Sequence, residues 1–143
     1  MSFRMLVSRT MAWASLAACG SAATGPQTSL TPEAQVGDEF SLGVGDAIKL
    51  TGVDLRVEFT GVSGDSRCPM RVQCVWAGDG AVVLVSRAGG GAVQADTLHT
   101  NLDPKRILLG TVELTLVRLD PYPDTPGSIP GDDYVATLTS RIP

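Results

Sequence analysis

Alternating apolar and polar residues dominate the chain from Gly37 onward and predict β-strands. In the stretch Val53–Thr60, Val, Leu, Val and Phe alternate with Asp, Arg, Glu and Thr, as in a strand with one buried and one solvated face. The segments Val112–Leu116 and Tyr134–Thr139 alternate in the same way. The uninterrupted apolar run Ala81–Val85 is typical of a central strand.

Turn residues divide these strands and indicate how they connect. Asp79–Gly80 is a hairpin signal, which predicts that Val72–Ala77 pairs with the apolar run that follows. Three glycines at 89–91 precede a further strand over Val93–Thr100. No stretch of ten or more residues carries a helical stripe, so crossover helices have no room. We therefore expect residues 37–143 to form one all-β domain, an antiparallel β-sandwich or small barrel of seven to eight strands.

The first eighteen residues are typical of an export signal. Arg4 and Arg9 precede the apolar run Met11–Ala18, which is too short to span a bilayer about 30 Å thick. Residues 19–36 are rich in Ser, Thr, Ala, Gly and Pro and show no periodicity, which predicts a flexible tether. We expect the mature domain to lie beyond this tether, outside the cytoplasm.

The end of the export signal resembles the lipobox of bacterial lipoproteins. Its residues Leu16–Gly20 read LAACG, and in that family the cysteine, here Cys19, becomes the lipidated N-terminus after cleavage. The resemblance implies a cell-envelope protein anchored in the membrane through the lipid on Cys19, in the outer membrane if the cell has two. The alternative is an ordinary secretory signal cleaved near Ala23.

Three cysteines are an odd number for an exported protein. If the lipid takes Cys19, then Cys68 and Cys74 remain as a pair, and an oxidising compartment favours a disulfide between them. A loop this short would contribute roughly 2 kcal/mol of stability. If the two cysteines were instead reduced, they could form a soft metal site with Met70 and His99.

The segment around these cysteines resembles a recurring motif. Residues 66–78 match the pattern SRCPxxxxCxWxG, found in an uncharacterised family of small secreted bacterial proteins and lipoproteins. The resemblance covers most of residues 37–143 and implies a fold but no activity. Because Trp76 follows Cys74 at strand spacing, we expect its indole to pack in the core against the disulfide. The alternative is a partner-binding surface formed by Arg67, Arg71 and Trp76.

Charge and composition exclude several functions. Without Arg4 and Arg9, nine basic residues face fifteen acidic ones and the net charge falls from −4 to −6, which argues against nucleic-acid binding. His99 is the only histidine and no GxSxG motif occurs, so we expect no catalytic residue, no cofactor and no resident metal.

We therefore expect a non-enzymatic, lipid-anchored envelope protein whose β-domain binds an unidentified envelope protein or supports envelope structure. The alternative is a small-ligand or calcium-binding module, because calcium favours several oxygens from flexible loops. The acidic residues concerned are Asp38, Glu39 and Asp46 in one loop and Asp120, Asp124, Asp132 and Asp133 around another.

Overall fold

The computed structural model describes residues 31–143, which form a nearly all-β domain. This part of the chain holds no α-helix and one 3₁₀ turn, Gly131–Asp133. The predicted export signal and Cys19 lie outside the described residues. The nine strands within 31–143 are β1 (Glu33–Gln35), β2 (Glu39–Gly43), β3 (Ala47–Thr51), β4 (Leu55–Asp65), β5 (Gly80–Ala88), β6 (Val93–His99), β7 (Arg106–Leu109), β8 (Val112–Asp120) and β9 (Val135–Arg141).

These strands form two sheets, which confirms the predicted all-β sandwich, with one strand more than the seven to eight expected. One sheet has the order β1-β3-β4-β5-β6 and the other β2-β9-β8-β7. All pairings are antiparallel except that of β1 with β3. No helix within residues 31–143 has the length and apolar character needed to cross a bilayer.

The core lies between the two sheets and follows the predicted alternation. In β4, Leu55, Val57 and Phe59 are buried, whereas Arg56 between the first two and Thr60 after the third are exposed. Leu114 of β8 and the strand β9 supply facing residues from the other sheet. Burying each large apolar side chain stabilises the fold by roughly 1.5–3 kcal/mol. The fully buried large side chains of the core are Phe59, Leu50, Leu55, Leu84, Leu98, Leu114, Leu138, Val57, Val82 and Val112.

The predicted central strand is confirmed as β5, but its predicted partner is wrong. Val72–Ala77 forms no strand, and Asp79–Gly80 is not a tight hairpin turn. Instead β4 continues to Asp65 through two register shifts and pairs along the whole of β5. The other edge of β5 pairs with β6. Because both edges of β5 are occupied, Val72–Ala77 has no edge left to join.

The folded part also begins earlier than the predicted boundary at Gly37. Strand β1 lies within the segment assigned to the tether, where it pairs with Lys49–Thr51. The carbonyl of Pro32 accepts a hydrogen bond from the amide of Lys49 at 2.9 Å. These backbone hydrogen bonds need no apolar pattern, so β1 leaves no period-two signal in the sequence.

Candidate functional site

A long loop between β4 and β5, residues 66–79, carries the cysteine motif, and we call it the disulfide loop. The predicted bond between Cys68 and Cys74 is present, with the two Cα atoms 6.0 Å apart. At the base of the loop, the amide of Ser66 donates to the carbonyl of Asp79 at 2.7 Å, and the amide of Cys68 donates to the carbonyl of Ala77 at 2.8 Å. The loop base therefore extends the β4–β5 ladder by two rungs.

Gly78 is required where the two sides of the base approach each other. Its φ is +69°, a conformation that favours glycine. A Cβ at this position would lie 1.7 Å from the carbonyl oxygen of Ser66. The glycine in the motif therefore permits a close backbone contact rather than a flexible turn.

Arg67 is the buried anchor of the disulfide loop, with 4% of its surface exposed. Its Nε and Nη2 donate to the two carboxylate oxygens of Asp65 at 2.8 and 2.6 Å. Nη1 donates to the carbonyl of Leu119, and Nη2 also donates to that of Pro121 at 2.9 Å. The ring of Tyr122 lies 5.2 Å from the guanidinium carbon, within the range of a cation–π contact. Arg67 therefore ties the disulfide loop to the far end of β8.

The carboxylate of Asp65 completes this buried cluster. The hydroxyl of Tyr134 donates to Asp65 Oδ2 at 3.0 Å. Burial alone would raise the pKa of Asp65, but hydrogen bonds and attraction from Arg67 outweigh it and hold the pKa below its usual value. The same pairing raises the pKa of Arg67 against the opposing effect of burial. The two side chains are therefore charged and mutually satisfied at neutral pH.

A second connection joins the disulfide loop to the loop between β8 and β9, residues 121–134. The amide of Met70 donates to the carbonyl of Pro123 at 3.0 Å, and that of Arg71 donates to the carbonyl of Asp124 at 3.1 Å. The exposed side chains of Arg71 and Asp124 form an ion pair at 2.9 Å. Backbone contacts therefore hold the outer half of the disulfide loop as well as its base.

The tip of the disulfide loop presents apolar side chains to solvent. Val75 is 96% exposed, Trp76 76% and Met70 67%. The prediction that Trp76 packs in the core against the disulfide is wrong, because the ladder ends at the Cys68–Ala77 rung and Trp76 lies beyond it. The alternative surface is only partly present, since Arg67 is internal while Arg71 and Trp76 are exposed.

Trp76 borders an open groove of about 350 Å³ on the side of the loop facing residues 100–102. Leu102, itself 59% exposed, lines the groove together with Ala77 and Asn101. The side-chain amide of Asn101 donates to the carbonyl of Gly78 at 2.7 Å. The groove therefore joins two chain segments that lie far apart in the sequence.

Asp79 fixes the geometry of this groove. Its Oδ1 accepts the amides of Asn101 and Leu102 at 2.9 and 3.2 Å and the hydroxyl of Thr100 at 3.2 Å. Nδ1 of His99 lies 2.5 Å from its Oδ2. Burial would raise the pKa of Asp79, but the hydrogen bonds from Asn101, His99 and Leu102 outweigh it and lower the pKa. The sequence Asp79–Gly80 indicates only a turn, and no local sequence pattern reveals the partners of Asp79.

The carboxylate beside His99 is thus Asp79, rather than Asp96 or Asp103, which are nearer in sequence. Within residues 31–143, no hydroxyl or thiol hydrogen bonds to the imidazole, and His99 does not line the groove beside Trp76. Among the described residues, the His99–Asp79 pair therefore has no hydrogen-bonded hydroxyl or thiol of the kind found in a catalytic triad.

Four of the seven acidic residues considered as calcium ligands have separate local partners. Asp38 accepts the amide of Gln35 and Asp46 that of Gly43, each at 3.0 Å. Asp120 accepts from Arg118 at 2.6 Å, and Asp124 is paired with Arg71, as described above. Within the described part of the chain, no three His, Cys, Asp or Glu residues come together in a way that could hold a metal ion.

Comparisons with protein-family models, with curated proteins and with solved structures found no match to this chain.

Proposed function

We propose that this protein is a non-enzymatic, lipid-anchored protein of the bacterial cell envelope that binds another protein through its disulfide loop. The observation that carries the proposal is the exposure of Val75 and Trp76 at the tip of a closed loop. Tryptophan is among the residues most enriched at binding hot spots. Adjacent exposed apolar side chains indicate an interaction site, whereas isolated exposed apolar residues are common on any protein surface.

The construction of the loop supports this role. Its conformation is held by the Cys68–Cys74 bond, by Arg67 and by Gly78, so the loop is ordered before a partner arrives. Preorganisation lowers the entropy cost of binding. None of these supports depends on the side chains of Val75 and Trp76, which are left free for a partner.

Charge also favours a protein partner over nucleic acid. Arg71, the exposed cation of the loop, is neutralised by Asp124, while the mature chain carries a net charge of −6. Such a surface repels polyanions and accepts an uncharged apolar contact. The proposed anchor at Cys19 rests on the LAACG sequence alone.

Site-specific photo-crosslinking tests the binding role. A photoreactive residue replaces Val75 in the full chain, expressed in the native cell envelope, and a control carries it at exposed Leu108 on β7. We expect one discrete protein adduct at Val75 that disappears with Trp76→Ala and is absent at Leu108. Equal adducts at both positions, or none at Val75, would contradict the proposal.

Intact mass spectrometry tests the anchor independently. The mature wild-type protein should begin at a lipid-modified Cys19, and Cys19→Ser should remain unacylated and leave the membrane fraction. A mature N-terminus at another, unmodified residue would show that the anchor is wrong without affecting the crosslinking result.

A further inference from the structure

The residues that line the groove beside Trp76 determine which class of ligand it can bind. Trp76 and Leu102, which are exposed and come from separate loops, line it together with Ala77 and Gly78. Because a side chain at position 78 would collide with Ser66, the glycine keeps the two sides of the loop base in contact beneath the groove.

Three polar side chains at this groove, those of Ser66, Asp79 and Asn101, already have partners within the protein. The hydroxyl of Ser66 accepts the amide of Asp79 at 3.1 Å and donates to its carbonyl at 3.2 Å. The carboxylate of Asp79 accepts three hydrogen bonds and faces His99. The amide nitrogen of Asn101 donates to Gly78. A ligand that needs several hydrogen bonds, such as a sugar, finds few groups free to make them.

The charged residues at the groove further restrict the class of ligand that it can bind. No Lys or Arg lines the groove, so it offers nothing to a phosphate or carboxylate. The carboxylate of Asp79 at its edge already accepts three hydrogen bonds and contacts Nδ1 of His99, so it has little capacity left to bind a cationic ligand. The remaining favourable interaction is burial of apolar surface against Trp76 and Leu102.

We propose that the groove between Trp76 and Leu102 is the recognition pocket for an uncharged aliphatic or aromatic side chain presented by the protein partner. This inference rests on the proposed function and adds its chemistry. The contact is reciprocal, since Val75 projects towards the partner while a partner side chain enters the groove. Leu102, which lies outside the cysteine motif, is then a binding residue equal in importance to Trp76.

The volume agrees with this ligand. About 350 Å³ lies near the lower limit of pockets for whole small molecules, roughly 300–1,000 Å³, and those pockets are usually enclosed. An open groove of this size suits one or two side chains attached to a larger body. Asp79 holds the Leu102 side of the groove in place through the backbone amides of Asn101 and Leu102, so this side is formed before the partner binds.

A direct binding measurement needs no knowledge of the partner. The exported chain carrying Cys19→Ser is titrated with N-acetyl-leucinamide, followed by the indole N–H resonance of Trp76 and the backbone amide of Asn101. N-acetyl-asparaginamide, of similar size, and N-acetylglucosamine serve as polar probes. We expect saturable shifts at both positions with the leucine probe only. No saturable shift, or a larger response to either polar probe, would overturn the inference.

The structure offers a matched pair of variants for the same titration. Leu102→Ala and Leu108→Ala remove the same atoms from residues that are 59% and 60% exposed. We expect Leu102→Ala to weaken binding of the leucine probe about fivefold to tenfold and Leu108→Ala to leave it unchanged. Equal affinity in both variants would overturn the inference.

The two proposals fail in different ways. If Val75 crosslinks to a partner and Leu102→Ala leaves both the adduct and the probe affinity unchanged, the pocket is wrong and the binding loop stands. If the groove binds the leucine probe but Val75 yields no adduct, the pocket stands as a property of the groove and the proposed function falls.

Discussion

The base and the tip of the disulfide loop differ in the polarity and the burial of their side chains. The base is formed by Asp65, Arg67, Gly78 and Asp79, and it is polar and centred on the buried Arg67. Arg67 donates hydrogen bonds to residues more than fifty positions away. The tip, formed by Val75 and its neighbours, is apolar and exposed. Apolar residues ordinarily stabilise a core and charged ones cover a surface, and this loop reverses that arrangement.

In this loop, one set of residues stabilises the conformation and another set is exposed for contact. A buried, bidentate ion pair has one satisfactory geometry, so the Arg67–Asp65 pair orients the loop rigidly. The exposed side chains at the tip contribute little to folding because they bury little surface. Substitutions at the base should therefore change stability, and substitutions at the tip should change binding alone.

The largest effect is expected from Arg67→Met. The change leaves the Asp65 side chain, only 11% exposed, without its cation. It also leaves the carbonyls of Leu119 and Pro121 without their donor, and together these losses should lower the free energy of unfolding by roughly 3–5 kcal/mol. Urea unfolding measures it. The control is Arg71→Met, which removes an exposed ion pair and should cost less than about 1 kcal/mol. Similar losses in both variants would contradict the distinction between base and tip.

Gly78→Ala should rank next. The added Cβ meets the Ser66 carbonyl, and the positive φ strains any other residue, so the loop base must shift at a cost of roughly 2–4 kcal/mol. Gly64→Ala is the control, because a Cβ there meets nothing within 4 Å. Thermal unfolding of the two variants provides the test, and an unchanged midpoint for Gly78→Ala would refute the close contact.

The double change Cys68→Ala with Cys74→Ala should lower the free energy of unfolding by roughly 2 kcal/mol, because the bond closes a short loop. The domain should still fold, since the core lies between the sheets and excludes both cysteines. Circular dichroism and urea unfolding check this. If the variant did not fold, the disulfide would be required for the stability of the whole domain and not only for the conformation of the disulfide loop.

Low pH should destabilise the base of the disulfide loop, because Asp65 and Asp79 become protonated there. The pKa values of Asp65 and Asp79 are lowered in the folded state, so the stability they contribute is complete above their unfolded pKa of about 3.9 and is lost as pH falls below it. The free energy of unfolding should therefore decrease between pH 5 and pH 3. Asp79→Asn should show a shallower decrease, and an identical slope would contradict its role.

Trp76→Ala should have the smallest effect on stability, within about 0.5 kcal/mol of wild type. Phe59→Ala, which removes a fully buried ring, is the contrasting variant at roughly 3–5 kcal/mol. Trp76 is the only tryptophan in residues 31–143, so its emission should be red-shifted and readily quenched by iodide. Blue-shifted, protected emission would restore the core interpretation and remove the basis of the proposed function.

Local patterns in the sequence were sufficient for the framework of the domain. The alternation in Val53–Thr60 predicted the buried face of β4, and the apolar run at 81–85 predicted a central strand, because side-chain direction alternates along any strand whatever its partner. Pairing of Cys68 with Cys74 follows from counting the cysteines of a chain whose sequence predicts export. These features depend only on neighbouring residues in the sequence or on how many cysteines the chain contains.

The tertiary structure alone decided which residues of the cysteine motif face inward. Arg67 is buried because Leu119 and Pro121 supply carbonyls at the end of β8, and Trp76 is exposed because β4 and β6 occupy both edges of β5. Residue preference favours the opposite of both outcomes. Leu102 lines one groove with Trp76 because Asp79 binds the backbone amides of residues 101 and 102. Burial in a loop depends on contacts between distant segments, which a period-two pattern does not encode.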